Sequence, residues 1–148
     1  MIFSAFVILG IIHLFFMMRH DLKHLTVDSR HNRFMTGVAT FMFITNYPGI
    51  WVMIGIFVLI AVFGYEMKRH SGDGDIEMHS WAMLGFGTLN VVWMFIYIIW
   101  VIILRLVYLL MLRNLNIEKL PGTPLYMGAF VLTAVFGYIM DLLVYGMI

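Results

Sequence analysis

The chain has 148 residues, of which 63% are hydrophobic and only 11% charged, with a formal net charge of +1 and a mean hydropathy of +0.97. A soluble domain carries about 25% charged residues, and a chain this short cannot hide so much apolar surface in one core. Composition therefore excludes a soluble enzyme, a nucleic-acid-binding domain and a disordered tail. The lack of cysteine excludes disulfides, thiolate metal sites and cysteine nucleophiles.

A helix that crosses a bilayer needs about 20 mostly apolar residues, and four stretches qualify. The first, Met1–Met18, is uncharged. It has no basic leader and no small-residue cleavage site, so it reads as a retained helix rather than a signal peptide. The second, Phe34–Tyr65, is interrupted at Asn46-Tyr47-Pro48-Gly49. Its two readings are one long helix kinked at Pro48, or a short re-entrant or interfacial element followed by a span. The third, Trp81–Leu112, contains one charge, Arg105, and the fourth, Leu125–Ile148, contains one, Asp141. Spans are expected at about 1–18, 40–66, 81–112 and 125–148. The third is expected to continue past the membrane to Arg113, with Trp81 and Trp100 marking its two interfaces.

Basic residues give the orientation. Arg19, Lys23, Arg30 and Arg33 follow the first span, and Arg105, Arg113 and Lys119 end the third. Between the second and third spans are only Lys68 and Arg69, offset by Glu66, Asp73, Asp75 and Glu77. The positive-inside tendency puts the first and third connections in the cytoplasm and both termini outside. A prokaryotic cytoplasmic membrane is the expected location.

The chain also resembles itself. Residues 54–67 (IGIFVLIAVFGYEM) and 127–140 (MGAFVLTAVFGYIM) agree at ten of fourteen positions, and Pro48-Gly49 matches Pro121-Gly122 at the same offset of 73. The expected fold is thus an all-α integral membrane protein, a single polytopic domain over 1–148. Its four transmembrane helices form a tandem pair of two-helix repeats, about 1–73 and 74–148, related as parallel pseudo-repeats. Repeat equivalence matches Lys68 with Asp141 and suggests an ion pair between them. Ala129, Thr133, Gly137 and Asp141 recur every four residues, the spacing at which small side chains let membrane helices pack closely.

Groups that carry chemistry are few. His13, Met17, His20 and His24 fall at i, i+4, i+7 and i+11, one face of a helix. Imidazole and thioether together suit copper or haem iron. The competing reading of residues 19–33 is a solvated loop, and of His13 a hydrogen-bonding histidine, with Thr45 or Asn46 as partner. His20 and His24 have the H-x-x-x-H spacing of membrane di-iron desaturases, but the further histidine boxes of that family are missing, which excludes it. Residues 70–79 read as an acidic turn, with Asp73, Asp75, Glu77, His70 and His79 as the cation-binding alternative. Trp93, Tyr97 and Trp100 share a helix face. No catalytic motif is present.

The expected function is a non-catalytic membrane subunit that packs against lipid and against other integral-membrane subunits or copies of itself, with no nucleic-acid partner. One alternative is a redox or metal-handling subunit using the His13/Met17/His20/His24 stripe. Another is a small channel or transporter with a broken-helix site at Asn46–Pro48.

Overall fold

A computed structural model describes residues 2–24, 29–46, 49–68, 73–115 and 122–145. Among them are six helices: α1 (Ile2–His24), α2 (Ser29–Thr45), α3 (Ile50–Lys68), α4 (Asp73–Leu89), α5 (Val91–Leu115) and α6 (Thr123–Tyr145). Three are long and apolar enough to cross a membrane, over Ser4–His24, Val91–Asn114 and Thr123–Leu143. The chain is therefore an all-helical, multi-pass integral membrane protein. Ile50–Tyr65 of α3 is a shorter apolar segment.

Local chemistry explains where the helices stop. Thr45 turns its hydroxyl back onto the carbonyls of Phe41 and Met42, and Gly49 adopts φ +94° before α3 begins. That left-handed backbone is strained for residues with a Cβ. Asn90 separates α4 from α5. Its side-chain oxygen accepts from the Val92 amide at 2.9 Å, so it caps α5 in the usual asparagine manner.

Packing pairs fix the helix directions. Ile56 lies by Gly87 and Gly64 by Ile76, so α3 runs opposite to α4. Phe6 meets Phe86 while His13 meets Trp81, so α1 also opposes α4. His79 reaches Tyr97 and Gly87 touches Met94, so α5 folds straight back along α4. Gly128 lies by Leu104 and Gly137 by Trp93, so α6 reverses again. Asn32 bonds to Gly74, and Phe43 meets Phe57 of α3 edge-on, so α2 is parallel to α4. Directions alternate along the whole chain.

The shortest helices include the central one. Every residue from Trp81 to Thr88 of α4 is buried, and α4 packs against α1, α2, α3, α5 and α6. A helix apolar on all sides belongs in a core. Glycine makes the approach feasible, because a Cβ on Gly85 would collide with the Phe6 ring, and one on Gly87 would press on Ile56 and Met94. The outer surface of the bundle is apolar, as lipid requires: Trp51, Phe41, Ile44, Phe34 and Val62 are all exposed.

Two expectations change. The stretch 81–112 is not one span but parts of two antiparallel helices joined at Asn90, and residues 34–65 likewise form a helix pair that reverses near Gly49. Trp81 and Trp100 therefore mark no pair of interfaces, and Trp81 is core. The added reversals also alter the relation between the similar segments. The offset of 73 carries Ile50, the first residue of α3, onto Thr123, the first of α6, but these two helices run in opposite directions, not parallel. Each half of the chain holds three helices, so the second half starts in the direction opposite to the first.

Candidate functional site

The side-chain hydrogen bonds that link different helices lie in the half of the bundle where α1, α3 and α5 finish and α2, α4 and α6 start. Three nodes tie helices together there. Asn32 is fully buried on α2. Its Oδ1 accepts from Nε2 of His13 at 3.2 Å and from Nε1 of Trp81 at 3.3 Å. Its Nδ2 donates to the Gly74 carbonyl at 2.9 Å. An amide oxygen can only accept, so this geometry sets the His13 tautomer with its proton on Nε2. The partner of His13 is thus Asn32. Thr45 and Asn46, the partners expected from sequence, are at the far end of α2.

Asp21 makes the second node. It is buried on α1, and its Oδ2 accepts from both the amide and the hydroxyl of Thr123, at 2.9 and 2.8 Å. A carboxylate at the first turn of α6 satisfies amides left without helical partners and complements the helix dipole.

His79 makes the third. Residues 73–79 belong to α4 rather than to a turn, and this imidazole is 2% exposed. Its Nδ1 is 3.0 Å from the Tyr97 hydroxyl. The rings of Phe63 and Tyr126 stand edge-on to it, with centroids 5.4 and 4.5 Å away. Among the described residues, its Nε2 and the Oε2 of Glu77 are buried polar atoms without a hydrogen-bond partner. Tyr97 thereby faces inward, and Trp93 packs on Gly137.

The histidine stripe of α1 separates by depth. His13 is engaged with Asn32 and Trp81, and Met17 is in the core. His20 and His24 lie near the end of the helix with ring centroids 4.7 Å apart. His13 and His24 are about 16 Å apart along the axis at 1.5 Å per residue, so one ion cannot bridge all four side chains. Among the described residues no three His, Asp or Glu side chains are placed to hold a metal ion.

The remaining sequence candidates also have definite places. On α6, Ala129 and Thr133 are fully buried, Gly137 is buried against Trp93, and Asp141 is half-buried. The Lys68 side chain lies outside the described residues. Its position ends α3 at one end of the bundle, while Asp141 approaches the other end on α6. Asn46 and Asn90 are exposed at the ends of helices, not at mid-depth, and Pro48 lies outside the described residues. The groove between α1 and α6, about 290 Å³, is lined by Val7, Ile8, Ile11, Val131, Ala134 and Val135 with Ser4 and Tyr138.

Asn32, Asp21 and Thr123 were missed from sequence because each looks like an ordinary loop residue there. Only the antiparallel return of the chain gives it a partner. No family model, curated protein or solved structure matches this chain.

Proposed function

We propose that the chain is a non-catalytic integral-membrane subunit that docks into a larger membrane assembly through α3. One observation carries this reading: α3 packs chiefly on α4 and leaves its other side bare. Trp51, Gly55, Val58, Val62 and Tyr65, spaced as i, i+4, i+7, i+11 and i+14, are all exposed, and so is Ala61. A Cβ at Gly55 would meet nothing within 4 Å. Lipid is as apolar as leucine, so helices associate in membranes through close backbone approach at small residues. Gly55 offers that approach.

The proposed topology has six crossings. By helix direction, the basic residues of the described helices, Arg19, Lys23, Arg30, Arg33, Lys68, Arg105 and Arg113, belong to the end where α1, α3 and α5 finish. The positive-inside tendency then puts that end in the cytoplasm, and the first residue of α1 and the last of α6 outside.

Because the chain has no cysteine, a single Val58→Cys provides a clean probe. In native membranes it is expected to cross-link to a neighbouring integral-membrane chain, while Leu109→Cys on the exposed side of α5 does not. A protein that cross-links from neither position and migrates at monomer mass after native extraction contradicts the proposal.

A further inference from the structure

We propose that the groove between α1 and α6 binds one acyl chain of a membrane phospholipid, with the ester and headgroup at the end of the bundle away from the basic residues. Gly10 packs on Phe130 and Asp21 bonds to Thr123, so the two helices are antiparallel. The groove follows them from Ile11 and Val131, near mid-helix, to Ser4 and Tyr138, which are exposed toward that end. From Ser4 to Ile11 it is about 10 Å long at 1.5 Å per residue, and its volume is about 290 Å³. Ser4 and Tyr138 carry the only hydroxyl groups among the lining residues, and everything deeper is aliphatic. That gradient matches a phospholipid, which is polar at the interface, where tyrosine is favoured, and apolar toward mid-membrane.

The groove is preformed. Ala134 is buried and contributes only a methyl group, while valine and isoleucine make up the rest of its aliphatic lining. A β-branched side chain in a helix has one strongly preferred χ1 rotamer, so these residues cannot swing inward to fill the space. An empty space deprives its lining of dispersion contacts. Lipid tails are as apolar as leucine and supply them. A bare helix face touches a passing acyl chain on one side, whereas the groove touches it on both flanks and beneath. A neighbouring helix is about 10–12 Å across with its side chains, too wide to enter so small a groove. A single extended chain enters it lengthwise.

The test uses the full chain in phosphatidylcholine nanodiscs containing a fraction of phosphatidylcholine with a diazirine in one acyl chain. After irradiation, peptide mass spectrometry locates the adducts. Adducts on Val7, Ile8 and Ile11 are expected to exceed those on Phe95 and Ile99 of α5 by roughly fivefold. Phe95 and Ile99 are exposed at a similar distance from the same end of the bundle, so bulk lipid reaches both sets alike. Ile8→Trp and Val135→Phe add bulk at exposed groove positions. Each should reduce the groove adducts to the α5 level, with thermal melting and the α5 adducts unchanged. The proposal is overturned if groove and α5 positions label equally, or if neither filled variant lowers the groove adducts. It is also overturned if Ile8→Cys cross-links to a neighbouring protein chain in native membranes, because a helix then covers the groove.

Discussion

Asn32 has no counterpart among the apolar residues around it, and its value comes from serving three partners at once. Replacing it with leucine leaves the His13 imidazole, the Trp81 indole and the Gly74 carbonyl without their acceptor or donor. Each buried polar group left alone costs about 1–3 kcal/mol, although interhelical hydrogen bonds in membranes average about 0.6 kcal/mol. The expected loss for Asn32→Leu is about 1–3 kcal/mol, measured by reversible unfolding in mixed micelles. Asp21 and Thr123 form the companion case. Asp21→Ala and Thr123→Val should be individually destabilising, and a double-mutant cycle should give a coupling of about 1–2 kcal/mol. Purely additive effects would show that the pair contributes nothing as a pair. Glycine supplies a sharper contrast. A Cβ at Gly85 collides with the Phe6 ring, whereas one at Gly37 meets nothing within 4 Å. Gly85→Ala is therefore expected to lower stability by about 1–3 kcal/mol through overpacking. Gly37→Ala, inside α2, should raise it by about 0.4–1 kcal/mol.

At the scale of elements, the decisive position is Asn90. The stretch 81–112 is apolar on nearly every side, so hydrophobic periodicity, the main sequence signal for helix faces and ends, falls silent there. Its 32 residues span about 48 Å of helix, well over the bilayer core of about 30 Å. That excess was a legible warning, and a lone asparagine in its interior was the legible break. Asn90→Ala removes the cap on α5 and is expected to cost about 1 kcal/mol, with Asn90→Ser recovering most of it. Equal melting temperatures for the alanine and serine variants would deny the cap its role. The Asn46–Gly49 interruption was visible in sequence for the opposite reason, since proline and a left-handed glycine leave unmistakable letters. The sequence left open whether the chain kinks there or breaks into two elements, and the structure has two helices that reverse near Gly49. Residues 73–79 show the same limit: three carboxylates and a glycine read as a turn, but helix α4 begins among them because Gly74 and His79 have partners on α2 and α5.

For the molecule as a whole, the alternating helices gather the charge at one end. In a four-span arrangement Lys68 and Arg69 fall opposite to the other seven basic residues. In the six-helix arrangement the basic residues of the described helices, Lys68 among them, share one end. The two arrangements are separable by labelling. A cysteine at Ser71, between α3 and α4, should react with impermeant thiol reagents from the same side as one at Lys23 or Asn114, and from the opposite side to one at Asn46. Labelling of Ser71→Cys from the side opposite to Lys23 and Asn114 would restore the four-span arrangement. The amino-acid sequence by itself determined the solvent, the approximate positions of the apolar segments, the similarity between residues 54–67 and 127–140, and the continuation of α5 as far as Arg113. Those properties depend on composition and on neighbours along the chain. Tertiary structure alone decided the number of reversals, the antiparallel relation of the similar helices, the burial of α4 and the partners of Asn32, Asp21 and His79. Those depend on which apolar face meets which, and helices greasy on every side carry no periodicity from which that choice can be read.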